Sequence, residues 1–163
     1  MTRFLLCACL ALAAPWACAQ TLTPPPIAAK SYMVVDALSA QTLAAAAEND
    51  RFEPASLTKL MTAYLVFKAL REHKIDLAQS LTPSARAQKA IGSRMFIEAG
   101  KPVSVSDLVH GMIIQSGNDA SITLAEAIGG TEEGFVAMMN AQAEQMGLAN
   151  TRFANATLSL IHI

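Results

Sequence analysis

The chain has 163 residues, enough for one domain with its own hydrophobic core. Hydrophobic residues make up 53% of it and charged residues 15%, a balance that favours a globular, helix-rich protein over a disordered one. The formal net charge is -1 and no basic run or stripe occurs, so nucleic acid is not expected as a partner.

The N-terminus has the pattern of a secretory signal peptide. Arg3 supplies the positive charge, Phe4 to Ala14 is apolar, and Ala17-Cys18-Ala19 has the small residues of a cleavage site. The apolar stretch is shorter than the roughly 20 residues that span a bilayer. We therefore expect residues 1–19 to be removed and the mature protein to be exported to the periplasm.

All three cysteines, Cys7, Cys9 and Cys18, lie in this leader. A lipid anchor on Cys18 is the less favoured alternative, because Pro15-Trp16-Ala17 before it makes a poor lipidation signal. The mature chain then has no cysteine, which excludes disulfides, thiol catalysis and cysteine-ligated metals. No other metal-ligand spacing occurs, so no metal site is expected.

Strands are predicted at the start of the mature chain. Residues 20–29 are expected to form an extended, proline-containing lead-in. Ser31–Asp36 follows as a predicted strand, because it is rich in β-branched and aromatic residues. Thr42–Ala47 is its candidate hairpin partner, although the connection between them has no glycine. A long helix is then predicted from Pro54, with apolar residues at helical spacing: Leu57, Leu60, Met61, Tyr64 and Leu65.

Loops and helices are predicted for the rest of the chain. Residues 81–100 are expected to form loops with a short strand over Met95–Ile97. Ser106 and Asp107 are expected to cap a helix that ends at Ile114. Two more helices are predicted, over Asp119–Ile128 and from Thr131 to about Met146, each followed by glycine. Strands first and helices after them indicate a mixed α/β (α+β) domain.

The first candidate for chemistry is Ser56-Leu57-Thr58-Lys59. On a helix, residues three apart share one face, with Cβ atoms roughly 5–6 Å apart. A lysine whose pKa is lowered by burial or by a nearby cation can take the proton of a serine hydroxyl. With Pro54 at the first helical position, the backbone N–H of Ser56 has no intrahelical acceptor and is a candidate oxyanion donor. Ser-x-x-Lys also arises by chance as a solvated serine and a surface lysine, but this helix is otherwise apolar, and an unpaired lysine there is costly.

The second candidate is Ser116-Gly117-Asn118, which follows an apolar run and precedes the next predicted helix. A tight turn between helices can bring Ser116 and Asn118 into a cleft. A hydroxyl there can relay a proton to a leaving amine, and an amide side chain can hold a substrate amide. Taken alone, the segment is better interpreted as an ordinary helix cap, since serine and asparagine both favour caps.

Together, Pro54-Ala55-Ser56-Leu57-Thr58-Lys59 and Ser116-Gly117-Asn118-Asp119-Ala120 resemble two of the three signatures of the D-alanyl-D-alanine carboxypeptidases, the low-molecular-mass penicillin-binding proteins. The resemblance extends from about Ala29 to Thr157. It also includes Tyr32-Met33-Val34-Val35-Asp36, Gly92-Ser93-Arg94-Met95-Phe96, and Asn150 before Thr151-Arg152-Phe153.

The resemblance implies a serine β-lactamase-like fold, with a mostly antiparallel sheet flanked by helices. It implies that Ser56 attacks the carbonyl of the penultimate D-alanine of a peptidoglycan stem peptide, with Lys59 as its base. Ser116 would pass the proton to the departing D-alanine, Asn118 would position the substrate, and water would hydrolyse the acyl-enzyme. Penicillins would acylate Ser56, because they mimic the D-Ala-D-Ala end. No metal or organic cofactor is expected.

Three features of the family are not found in the printed sequence: the Lys-Thr-Gly signature, the C-terminal β-rich domain and the amphipathic membrane-anchoring helix. We therefore expect residues 30–157 to be the N-terminal part of the catalytic domain and to be inactive as written. Membrane association through the C-terminal helix is expected of the full-length protein. Residues 158–163, LSLIHI, match the translation of a transposon end used in sequencing adapters, so we expect this tail not to be native.

Two other functions are compatible with parts of the pattern. A class A-like β-lactamase shares Ser-x-x-Lys, but those enzymes favour Ser-Asp-Asn where this chain has Ser116-Gly117-Asn118, and no Glu-x-x-x-Asn follows. A non-catalytic peptidoglycan-binding relative is the second alternative. The presence of Ser56, Lys59, Ser116 and Asn118 together argues against it.

Overall fold

The structure is a computed structural model that describes residues 25–157. The described residues divide into two units, with the boundary between Arg51 and Phe52. The expected signal peptide and the tail over residues 158–163 lie outside the described residues. The described part of the lead-in, residues 25–29, has no regular secondary structure, as its prolines predict.

The first unit contains the predicted hairpin. Strand β1 is Tyr32–Val35 and strand β2 is Thr42–Ala46. They pair antiparallel, with Tyr32 opposite Ala46, and the register shifts between Val34 and Val35. Both strand predictions are confirmed, within one residue at their ends.

The hairpin connection turns without glycine because Asp36 supplies the hydrogen-bond acceptor. Its Oδ1 accepts from the backbone N–H of Ser39 at 2.7 Å and from that of Leu38 at 3.1 Å. The backbone reverses at Ala40, whose φ is 57°, a conformation that a small side chain tolerates only at some cost. These bonds, that from the Ser39 N–H above all, hold the pKa of Asp36 below its usual value.

The second unit is mainly helical. A 3₁₀ turn over Ala55–Thr58 leads directly into the long helix α1, Lys59–Arg71. The elements that follow are β3 (Ser80–Leu81), α2 (Ala85–Gln88), β4 (Val103–Ser104), α3 (Val105–Ile114), α4 (Asn118–Gly129) and α5 (Glu132–Gln145). Strands β3 and β4 pair antiparallel. The prediction of a mixed α/β chain with antiparallel strands is confirmed.

Helix α1 joins two hydrophobic clusters. On one side, Val66 packs with residues of α3 and α4, including Leu108 and Leu124. On the other side, Leu65 packs with residues of α5, including Phe135. Burial of side chains of this size stabilises a fold by about 1.5–3 kcal/mol each, so α1 is fixed relative to both neighbours.

Helix α1 is buried along one face only. Thr62 and Val66 are fully buried, whereas Leu60 is 69% exposed. The exposed apolar side chains lie at helical spacing on the opposite face: Leu57, Leu60, Tyr64 and Phe67.

The strand predicted over Met95–Ile97 is wrong. Phe96 has a φ of 62°, outside the β region, and the N–H groups of Met95 and Ile97 donate to the side chain of Asp119 instead of to a neighbouring strand. A tertiary contact with a residue far along the sequence therefore replaces the local β preference.

Helices α4 and α5 end at the predicted glycines, but the N-terminal cap of α3 differs from the prediction. Helix α3 is capped by Ser104, whose Oγ accepts from the N–H of Asp107 at 3.0 Å, and not by Ser106. Gly130 and Gly147 follow α4 and α5 with φ values of 76° and 72°, which glycine adopts without strain. Within residues 25–157, none of the helices has the length and apolar character needed to cross a bilayer.

Candidate active site

A cleft of about 540 Å³ opens beside the 3₁₀ turn, at the start of α1. One wall is formed by the turn and the first residues of α1, and the other by the end of α3 and by Ser116. The cleft is lined by Pro54, Ala55, Ser56, Leu57, Lys59, Leu60, Ala63, Met112, Ile113 and Ser116. Three of the four predicted site residues therefore lie in one cleft.

Ser56, Lys59 and Ser116 are joined by two hydrogen bonds. Lys59 Nζ donates to Ser116 Oγ at 3.1 Å, and Ser116 Oγ donates to Ser56 Oγ at 3.0 Å. Ser116 therefore lies between the other two. Since serine hydroxyls both donate and accept, these two hydrogen bonds can carry a proton in either direction between Lys59 and Ser56.

The 3₁₀ turn places Ser56 at the mouth of the cleft. Pro54 caps the turn instead of occupying its first helical position, and Leu57 N–H donates to the Pro54 carbonyl oxygen at 3.0 Å. The N–H of Ser56 precedes this first bond, so it is free of an intrahelical acceptor, as predicted. Residues three apart eclipse in a 3₁₀ turn, which brings Ser56 and Lys59 onto one side of the chain.

Lys59 is the buried member of the set. Its side chain lies in an environment that leaves the residue 6% exposed, and it takes part in none of the ion pairs found in the described part of the chain. Burial without a carboxylate partner lowers the pKa of Lys59, because the charged ammonium is desolvated and uncompensated. A neutral amine, the form that can accept a proton, is thereby favoured.

Ser116 is held in a strained backbone conformation between α3 and α4. Its φ is 55°, a left-handed value that costs a non-glycine residue about 1–3 kcal/mol. The next residue fixes the turn, because Gly117 N–H donates to the Gly111 carbonyl oxygen at 2.9 Å. Strain of this kind persists only where the surrounding structure over-determines the conformation.

Asn118 is close in sequence but not part of the hydrogen-bonded set. It is 4% exposed, and its Nδ2 donates to the carbonyl oxygen of Ile91 at 2.6 Å. Its Oδ1 is buried and has no partner among the described residues. An unpaired buried acceptor is costly to the fold. The predicted role of Asn118 in holding substrate stays a prediction.

Two further polar residues near the site were not singled out in the sequence. Thr58, between Ser56 and Lys59, is 3% exposed, and its Oγ1 has no partner among residues 25–157. Asp119 is 1% exposed and accepts three backbone hydrogen bonds. An acidic residue in the first turn of a helix is ordinary, so the sequence offers no signal that sets Asp119 apart. No group of three or more potential metal ligands occurs in the described ranges.

An exposed serine linked through a second hydroxyl to a buried lysine, on a mixed α/β scaffold, defines the class of serine hydrolases that use lysine as a base. Known proteins narrow this class. The family described as D-alanyl-D-alanine carboxypeptidase, peptidase family S11, matches residues 18–159. The chain belongs to this family of serine-type peptidases.

Curated relatives agree with the family match over part of their length. The D-alanyl-D-alanine carboxypeptidase DacC of Escherichia coli K12 is 42% identical over 144 residues, which cover 85% of this chain and 36% of that protein. DacF of Bacillus subtilis 168 is 40% identical over 129 residues, covering 79% of this chain and 33% of that protein. The chain thus spans about a third of the length of these relatives.

A solved structure shares the fold. Penicillin-binding protein 5 of Haemophilus influenzae superposes with a TM-score of 0.80 at 41% sequence identity, covering 83% of this chain and 40% of that one. The DD-peptidase-like fold expected from the sequence is confirmed for the part of the chain that superposes.

Proposed function

We propose that the full-length gene product is a serine D-Ala-D-Ala carboxypeptidase that removes the terminal D-alanine from peptidoglycan stem peptides. The proposal rests on the two hydrogen bonds that link Lys59 to Ser116 and Ser116 to Ser56. They place a buried amine at one end and an exposed hydroxyl at the other. The family match and the names of the relatives supply the substrate class.

Acylation begins with neutral Lys59. In this state both hydrogen bonds reverse: Ser56 donates to Ser116, and Ser116 donates to the lone pair on Lys59 Nζ. Ser56 Oγ attacks the carbonyl carbon of the penultimate D-alanine, its proton moves to Ser116, and the proton of Ser116 moves to Lys59. The sequence had suggested direct transfer from Ser56 to Lys59; in the described structure the Lys59 amine bonds to Ser116 instead.

Different groups of the site stabilise the oxyanion and protonate the leaving group. The free N–H of Ser56, at the positive end of α1, is the proposed donor that stabilises the developing negative charge on the carbonyl oxygen. Collapse of the tetrahedral intermediate breaks the C–N bond, and the D-alanine nitrogen takes a proton from Ser116, which Lys59 replenishes. The unpaired Oδ1 of Asn118 is a candidate acceptor for a substrate amide N–H.

Water completes the cycle by hydrolysing the ester on Ser56. Neutral Lys59 takes a proton from the attacking water through Ser116, and when the ester C–O bond breaks the departing Ser56 oxygen takes that proton back through Ser116. β-Lactams would acylate Ser56 by opening their ring, and because the opened amine stays attached, the acyl-enzyme would persist. We also infer export to the periplasm, which the signal-peptide pattern of residues 1–19 supports, and membrane association of the full-length protein through a C-terminal helix, as the family resemblance implies.

The proposal is tested by D-alanine release from a stem pentapeptide. The full-length gene product should release one D-alanine per peptide, and Ser56→Ala should abolish release. Ser106→Ala, a matched change outside the cleft, should leave the rate unchanged. Release that survives Ser56→Ala would overturn the proposal, and rapid multiple turnover of nitrocefin would favour the β-lactamase alternative.

A further inference from the structure

We propose that Asp119 is a positioning residue that sets the place of Ser116. Asp119 acts through residues 91–97, whose backbone it binds by hydrogen bonds and which contact both sides of the turn between α3 and α4. The inference rests on the proposed function, because Ser116 carries the proton there.

Both oxygens of the Asp119 carboxylate accept hydrogen bonds from backbone N–H groups. Its Oδ1 accepts from the N–H groups of Met95 at 3.0 Å and Ala120 at 2.9 Å, and its Oδ2 accepts from that of Ile97 at 3.2 Å. Asp119 is 1% exposed and belongs to none of the ion pairs in the described residues. Backbone N–H groups and the N-terminus of α4 therefore carry the stabilisation of a buried charge.

Asn118 holds the same segment from the adjacent position. Its backbone N–H donates to the Ser93 carbonyl oxygen at 2.7 Å, and its Nδ2 donates to the Ile91 carbonyl oxygen at 2.6 Å. Within the segment, Phe96 has a φ of 62° and makes no strand pairing. Because this segment has no strand partner, it must be stabilised by contacts from outside it. Asn118 and Asp119 together make four hydrogen bonds with it.

The segment also contacts the other side of the turn. Met95 packs onto Gly111 of α3 so closely that a Cβ on Gly111 would clash with the Met95 sulfur. The carbonyl oxygen of Gly111 in turn accepts from Gly117 N–H at 2.9 Å. Residues 91–97 thus tie the end of α3 to the start of α4, and Ser116 lies in the turn between them.

This arrangement explains how Ser116 keeps its left-handed conformation. Ser116 lies outside the helices, while Gly111 before it and Asn118 and Asp119 after it all contact residues 91–97. Its two hydrogen bonds, at 3.0 and 3.1 Å, leave little tolerance for displacement. A shift of about 1 Å at a catalytic group can cost roughly a hundredfold in rate.

The test is Asp119→Asn in the full-length gene product, measured as acylation by a fluorescent penicillin. Asparagine keeps the shape of the aspartate side chain but replaces one carboxylate oxygen by an NH₂ group. That group cannot accept from a backbone N–H, so at least one hydrogen bond is lost. We expect the acylation rate constant per competent site to fall at least about tenfold, with competent sites counted from the label bound at saturation. A merely structural role would lower the number of competent sites and the melting temperature, and would leave the rate constant per site unchanged.

A double-mutant cycle with Ser116→Ala separates positioning through Ser116 from any other effect. If Asp119 acts through Ser116, Asp119→Asn should change the rate by less than about twofold in the Ser116→Ala background. Multiplicative losses would overturn the proposal, as would a wild-type rate constant in the single variant. Should Asp119→Asn fail to fold, Met95→Ala, which removes the contact with Gly111, should show the same loss and the same dependence on Ser116.

Glu132→Gln is the matched control. Glu132 is likewise buried, at 5% exposed, and its carboxylate accepts from the backbone N–H of Ala156 at 3.0 Å. Its loss should lower stability while leaving the acylation rate constant per site unchanged; a tenfold fall here would contradict a specific role for Asp119. If the wild-type protein is not acylated at Ser56, the proposed function itself fails, an outcome distinct from equal rates in wild type and Asp119→Asn.

Discussion

The Nζ atom of Lys59 lies 3.1 Å from the Oγ atom of Ser116, 57 residues further along the chain. Ser116 stands between Lys59 and Ser56, so the buried amine reaches the exposed hydroxyl through a second hydroxyl. Several expected outcomes depend on this order of residues.

The rate of acylation should rise with pH as Lys59 loses its proton. Burial lowers the pKa of Lys59 from its usual 10.5, so the rise should be centred below that value. The measurement is the second-order rate constant for penicillin acylation between about pH 5 and 11. Lys59→Arg, which stays protonated throughout, should lose at least about a hundredfold and the pH-dependent rise with it. A flat profile in the wild type would contradict the role of Lys59 as base.

Lys59→Met should make the protein more stable while abolishing acylation. The lysine is 6% exposed and has no carboxylate partner in the described structure, so its charge is disfavoured in the folded state. Because its pKa is lower when folded than when unfolded, the wild-type protein should gain stability as pH rises towards 10.5. Urea unfolding of both proteins at two pH values measures this. The gain from Lys59→Met should shrink at high pH, and a constant difference would show that desolvation of the charge is not its cause.

Ser116→Gly and Ser116→Ala should both slow acylation, but they should differ in stability. Both remove the hydroxyl, whereas only glycine relieves the left-handed φ of 55°. We expect the glycine variant to be more stable than the alanine variant by about 1 kcal/mol in urea unfolding. Equal stabilities would mean that the backbone at Ser116 is not strained in solution.

Glu132→Gln should destabilise the fold far more than Glu133→Gln. Both carboxylates pair with Arg86, but the Glu132 side chain is 6% exposed and that of Glu133 is 68% exposed. Glu132 also accepts from Ala156 N–H, and the Ala156 carbonyl oxygen accepts from Thr62 of α1 at 2.7 Å. We expect losses of about 1–3 kcal/mol for Glu132→Gln and below about 1 kcal/mol for Glu133→Gln. Similar losses at the two positions would show that burial of the pair is not the deciding factor.

Most of the secondary-structure elements could be predicted from residues that are close together in the sequence. The hairpin strands, the ends of α4 and α5 at Gly130 and Gly147, and the spacing of Ser56 and Lys59 all follow from neighbours within a few residues. The motif around Ser116 stands out only through its likeness to a family, because serine and asparagine after a helix by themselves favour interpretation as a cap.

Contacts between distant residues account for what the sequence did not predict. Met95–Ile97 has strand-like residues, yet Asp119 takes its backbone donors. The position of Ser116 between Lys59 and Ser56 depends on how α3 ends relative to α1, which no local pattern encodes. The cap at Ser104 was missed because Ser106 and Asp107 present an equally good local signal.

The most direct measurement of the central claim is the site of covalent attachment. Full-length protein is treated with a β-lactam, digested, and its peptides are identified by mass spectrometry. The account predicts one adduct, on the peptide that contains Ser56, lost in Ser56→Ala. An adduct on Ser116, or on any peptide without Ser56, would contradict it.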